Sequence, residues 1–281
     1  MQNFLENFNK IKEENNYKLI ADKIITILKT IKNDPNISSR RWVWELMQNA
    51  IDVKYEKEKI SVMFILDQDK LVFKHNGKYF RIKEILSLIF QVSSKSSQNL
   101  EGHTGKFGIG FICTHLLSDV IDIKGILKIN DNDFREFELS LDRSEQNPGK
   151  LAKNIRKSIE LFNNIENNSC NFKLKPNYLK NRKEIDFDTS FTYYLDDDEK
   201  KESAIKGLDD LINTMPISLI TQNQKIKQVT IIDKIKQLKT VYTPKLEGKE
   251  KKNDIIQSSV KVSNINFKTL NVIWSIIFYH I

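Results

Sequence analysis

Cysteine is close to absent, with Cys113 and Cys170 the only two in 281 residues. Two thiols cannot build a disulfide scaffold, and their separation lacks metal-ligand spacing, so a reducing cytoplasm fits the chain. An apolar leader is missing too. Met1-Gln2-Asn3-Phe4-Leu5-Glu6 turns acidic at once, which excludes a signal peptide. The longest apolar tail, Leu270 to Ile281, is about half the ~20 residues a membrane span needs, so no membrane partner is expected. There is no internal repeat. The formal charge of +8 invites a nucleic-acid reading, but charges of both signs are interspersed along the chain, and a solvated surface accounts for them.

What is present is enough apolar residue for one large domain or two modest ones. Ile20, Ile24, Ile27 and Ile31 recur at helical steps and predict a helix over 1–33. Asn33-Asp34-Pro35-Asn36 breaks it, and Ser38 or Ser39 is placed to cap a second helix from about Arg40 to Glu58. Ile60–Leu66 and Leu71–Phe73, joined by Asp67-Gln68-Asp69-Lys70, predict an antiparallel hairpin ending at His75-Asn76-Gly77. Ile82 to Phe90 returns to helical spacing. Further strands are expected at Val120–Ile129, Phe134–Leu141 and Phe191–Leu195, with a helix from about Asp197 to Asn213. Residues 144–183 read as an Asn- and Lys-rich insertion holding one helix, Leu151–Phe162. Past Gln222 the pattern changes to short strands. The expected division is therefore a domain over 1–222 and the start of a second, strand-rich segment over 223–281.

Two stretches carry chemistry. In Glu45-Leu46-Met47-Gln48-Asn49-Ala50-Ile51-Asp52 the polar residues Glu45, Asn49 and Asp52 fall on one helix face, while the other faces are apolar. Acceptors on a largely buried helix require a cation, a water or a ligand. In Gly105-Lys106-Phe107-Gly108-Ile109-Gly110-Phe111 three glycines let the backbone approach a ligand, and the helix they open points free N–H groups at anions. Together they read as a site for magnesium and nucleotide phosphates. Just before the glycines, Gln91 to Thr104 is a long Ser-rich stretch of the kind that forms lids. Lys95 within it can reach a phosphate as a point charge. Arg40 and Arg41, one turn before Glu45, can pair with it or with a phosphate; the salt bridge is the expected outcome.

These motifs, in this order over about Ile20 to Ile220, resemble the GHKL superfamily of ATPases, which includes DNA gyrase, the large heat-shock chaperones, histidine kinases and MutL. The helix face resembles the family's E-x-x-x-N-x-x-D box. The resemblance makes Glu45 the base or orienter for the attacking water, Asn49 the ligand of Mg²⁺, and Asp52 a neighbour of the nucleotide. Gly105, Gly108 and Gly110 fall in register with the G-x-x-G-x-G box that closes over the phosphates, with Lys106, Phe107, Ile109 and Phe111 beside them. Thr189 sits where the family has a Thr near the adenine. The departure is at D-x-G-x-G, whose Asp accepts from the adenine amine: this chain has His75-Asn76-Gly77, similar to sacsin-like ATPase domains. A neutral imidazole can accept from an exocyclic amine, and the Asn76 amide can donate and accept. The alternative is that His75 only packs and Gly77 only turns.

The resemblance implies an α+β, Bergerat-type two-layer sandwich: a mixed, mostly antiparallel sheet with helices on one face. It implies the cofactors ATP and Mg²⁺, slow hydrolysis, lid closure, and a nucleotide-dependent homodimer or larger assembly acting on a protein client or partner. Prokaryotic sacsin-like domains often sit in longer proteins, some linked to anti-phage defence. Two other classes stay open: a nucleic-acid-remodelling ATPase of the MutL, MORC or gyrase kind, and a non-catalytic nucleotide sensor. Histidine-kinase phosphotransfer is not expected, because no phosphoacceptor helix precedes Glu45.

Overall fold

The computed structural model describes residues 2–33, 35–91, 109–163, 165, 171–221, 225–245, 257–266 and 272–280. Helix α1 (Gln2–Lys32) buries Ala21, Ile24, Ile25 and Leu28, while Ile20, Ile27 and Ile31 of the expected stripe flank them, half-buried against the core. Helix α2 (Pro35–Asp52) starts before the expected serine cap and stops short of Glu58. Proline suits a first helical turn, where its fixed φ is helical and its missing N–H has no intrahelical partner to lose. At the far end the Val53 carbonyl accepts from the Lys78 N–H at 2.7 Å, which takes a backbone group the helix would have needed. α2 is apolar elsewhere: Trp42, Val43, Leu46, Met47 and Ala50 are all buried.

Alternation at period two makes the strands. β1 (Ile60–Leu66) and β2 (Lys70–His75) form the expected antiparallel hairpin, with Phe64 opposite Phe73. Helix α3 (Ile82–Phe90) follows, and Glu84 reaches back 2.7 Å to the Arg81 N–H at its start. The short helix α4 (Ile109–Ile112) runs into a tighter 3-10 turn at Cys113–Leu116. β3 (Val120–Lys128) and β4 (Phe134–Asp142) pair along their whole length. Next come α5 (Pro148–Asn163), β5 (Phe172–Leu174), α6 (Tyr178–Asn181), β6 (Thr189–Tyr194) and α7 (Asp198–Thr221). α7 extends beyond the expected Asn213 and passes through Pro216, with Met215 and Leu219 fully buried on either side of it.

The strands β7 (Ile226–Asp233), β8 (Leu238–Lys245), β9 (Gln257–Asn266) and β10 (Val272–His280) do not start a sheet of their own. Among the described residues all ten strands lie in one sheet, in the order β10-β9-β8-β7-β1-β2-β6-β3-β4-β5. β7 joins it parallel to β1, and the other neighbours are antiparallel. The expected boundary near Gln222 falls at 222–224, outside the described residues. Residues 144–183 are also tied to the main fold: α5 puts Leu151, Ala152 and Ile155 into the core, and β5 extends the sheet from β4.

The result is an α+β fold of two layers, a mixed and mostly antiparallel sheet with helices on one face. Val62, Phe64, Leu71, Phe73, Ile121, Ile123 and Tyr193 form the covered side of the central strands and are buried. Lys124 and Tyr194 on the other side are exposed. No described helix is long and apolar enough to cross a membrane.

Candidate functional site

The C-terminal half of α2 leans over the covered face of β2 and β6, and a cavity of about 220 Å³ remains between them. From α2 come Leu46, Asn49 and Asp52, and Val53 joins them just past its end. β2 contributes Phe73 and His75, β6 contributes Phe191, and Phe111 reaches in from α4. The segment after β2 closes one side with Lys78, Tyr79 and Arg81, and α3 adds Glu84 and Leu88. Larger hollows exist, among them one of about 560 Å³ bordered by Asp122, Glu138 and Tyr194, but its lining holds none of the residues singled out from sequence.

Glu45 and the glycine stretch meet. A Cβ added to Gly110 would fall 1.9 Å from Glu45 Oε2, so only glycine admits the carboxylate against α4. The other oxygen, Oε1, accepts from Arg41 Nε at 3.1 Å, the expected salt bridge one turn back along α2. Glu45 lies outside the cavity lining, whereas Asn49 and Asp52 border it. Gln48 Nε2 donates to Asp52 Oδ1 at 2.9 Å, which steadies that carboxylate. Asn49 is half-buried and lines the cavity. Ile109 and Gly110 open α4. Lys95, Gly105, Lys106, Phe107, Gly108 and most of the expected lid lie outside the described residues.

At the opposite end His75 closes β2. It is 4% exposed, and burial pushes its pKa down to about 3, so the ring is neutral. The Gly77 N–H donates to His75 Nδ1 at 3.1 Å. Gly77 is itself confined: a Cβ there would meet Val53 Cγ2 at 2.7 Å and His75 Nδ1 at 2.9 Å. Asn76 is spent on the fold. Its Oδ1 accepts from the Ser61 N–H at 2.7 Å and its Nδ2 donates to the Glu184 carbonyl at 2.6 Å, so neither the donor nor the acceptor expected of it faces the cavity. Thr189 is buried directly across from His75 in the β2–β6 register, and the same register sets Phe191 against Phe73, ring centroids 6.1 Å apart.

Arg182 escaped the sequence reading because it lies in the expected insertion, far along the chain from its partners. It donates in fork geometry to Glu58 at 3.1 Å, donates to the Asn76 carbonyl at 2.7 Å, and lies 4.1 Å over the Tyr55 ring. It thereby clamps the turn that carries His75 and Gly77. Phe73 and Phe191 were legible in principle, since each lies two residues from a site position on the same strand face.

Among the described residues no group of three or more His, Cys, Asp or Glu is arranged to hold a metal ion. Magnesium does not require one. It keeps several waters and is usually held by one or two protein oxygens together with substrate phosphates. The half-buried Asn49 amide beside a steadied carboxylate is compatible with that mode.

No protein-family model matches this chain, and no curated protein matches it.

Proposed function

We propose that the protein is a magnesium-dependent ATP-binding module of the GHKL type that hydrolyses ATP slowly and uses nucleotide binding to change its assembly or its hold on a protein partner. One observation carries the reading: the Glu45 carboxylate packs on Gly110, a contact that joins the two motifs the sequence sets far apart. The aromatic-walled cavity beside it, ending in His75 with Thr189 across from that residue on β6, is a suitable berth for a purine.

In this reading Asn49 would hold Mg²⁺, which supplies charge neutralisation at the phosphates. Glu45 orients or deprotonates the attacking water, a role worth about 10²–10⁴ in rate. Arg41 fixes one of its oxygens and leaves the other directed over Gly110. Phe73, Phe111 and Phe191 exclude water from the base. Single-turnover hydrolysis tests the assignment. Glu45→Ala is expected to bind ATP without turning it over, and Asn49→Ala to lose magnesium-dependent binding. Parental turnover by Glu45→Ala would remove Glu45 from the mechanism.

A further inference from the structure

We propose that the His75 end of the cavity reads its ligand with a hydrogen-bond donor, the Nε2–H of His75, and so takes a purine through N7 or a 6-keto oxygen and not through an exocyclic amine. The inference deepens the nucleotide reading and rests on it.

The backbone sets the tautomer. The Gly77 N–H donates to His75 Nδ1 at 3.1 Å, and an imidazole nitrogen that accepts a hydrogen bond carries no proton. The bond depends on glycine, because a Cβ at residue 77 would stand 2.9 Å from that same nitrogen. A neutral ring has a single N–H, and with Nδ1 engaged it is at Nε2. Burial keeps the ring neutral throughout the physiological range. The ring cannot easily turn over to exchange its nitrogens, because it is enclosed by Phe73 and Phe191, with centroids at 5.8 Å and 6.3 Å.

The adjoining Asn76 side chain does not restore an acceptor. Both ends of the Asn76 amide are committed to Ser61 and Glu184. The Thr189 hydroxyl opposite can serve either as donor or as acceptor and does not discriminate. An amine brought to His75 would set donor against donor and leave both without partners, whereas a keto oxygen or N7 would pair. A site built to hydrogen-bond one group rejects its mismatched analogue strongly, so the donor sets a preference that can be measured.

Inosine triphosphate is the discriminating probe, since it replaces the 6-amine of ATP by a 6-keto group, with a proton on N1, and leaves N7, sugar and phosphates unchanged. Titration calorimetry with Mg²⁺ is expected to show inosine triphosphate binding as tightly as ATP or more tightly. In His75→Asp the order should reverse, with ATP favoured by about ten-fold or more. Long-range ¹H–¹⁵N spectra of the parental protein should show His75 protonated at Nε2 alone, a readout that requires no variant to fold. The inference is overturned if ATP is preferred by more than about ten-fold in the parental protein, or if Nδ1 carries the proton. The outcomes separate the two claims. Tight ATP binding with weak inosine triphosphate binding leaves the nucleotide reading standing and removes this one, while binding of neither nucleotide removes both.

Discussion

Gly110→Ala probes the contact on which the proposed function rests. The new Cβ would lie 1.9 Å from Glu45 Oε2 and 2.5 Å from Glu45 Cδ. Restoring ordinary van der Waals separation requires the carboxylate to retreat by about 1.5 Å. The obstacle is the far end of a flexible side chain, so the fold can yield there. What is lost is the Arg41–Glu45 pair, an exposed i,i+4 interaction worth about 0.3–0.5 kcal/mol. Replacing glycine by alanine in a helix returns up to about 1 kcal/mol. The two nearly cancel, and the melting temperature should move by no more than about 3 °C. Catalysis has no such compensation. Displacing a catalytic group by about 1 Å costs on the order of 10²-fold. Gly110→Ala should therefore melt like the parent yet hydrolyse ATP at least about 10²-fold more slowly in single turnover. Parental turnover would refute the reasoning, and so would a melting point lowered by more than about 10 °C, which would mean that the clash falls on rigid structure.

Gly207→Ala should behave in the opposite way: its Cβ would meet the Trp42 indole at 2.3–2.6 Å, a rigid, fully buried ring whose N–H donates to the Ser203 carbonyl at 3.0 Å. Overpacking plus that hydrogen bond amounts to about 2–4 kcal/mol, visible as a lower denaturant midpoint with the cavity residues untouched. Arg182→Ala strips the clamp from the His75 turn and should destabilise by about 2–3 kcal/mol, with Arg182→Lys recovering less than half because an ammonium cannot reproduce the fork. Acid should weaken the fold through two histidines. His75 and His115 are buried, neutral and held at about 3, against 6.5 for the free side chain. The unfolded chain binds protons that the folded chain refuses, so their contribution is complete above pH 6.5 and declines as pH falls towards 3. The slope is up to about 1.4 kcal/mol per pH unit for each histidine. Urea melts near pH 7.5 and 5.5 should show the loss, and His115→Gln should reduce it by about half.

The local parts of the fold were readable because their causes are local. The hairpin of β1 and β2, the paired β3 and β4, and α3 follow from periodicity and turn residues. The polar face of α2 follows from the i, i+4, i+7 spacing of Glu45, Asn49 and Asp52. What depends on distant partners was not readable. Nothing near Ile226–Asp233 announces a parallel match with Ile60–Leu66, and that match is what brings the strand-rich tail into the main sheet. α7 continues through Pro216 because burial of Met215 and Leu219 outweighs the local break. The same holds within the site. The residue types at positions 75–77 were legible, but the commitment of Asn76 to Ser61 and Glu184, and the tautomer that Gly77 imposes on His75, arise only when the turn closes against β1 and α2.

The central claim, that the cavity beside Glu45, Asn49 and His75 holds a magnesium nucleotide, is tested most directly by thermal stabilisation with ATP. The account predicts a melting temperature that rises with ATP concentration as RT ln(1 + [L]/Kd), a rise that requires Mg²⁺ and is lost in Asn49→Ala. An unchanged melting temperature at millimolar ATP with Mg²⁺, in a protein that melts cooperatively, would contradict it.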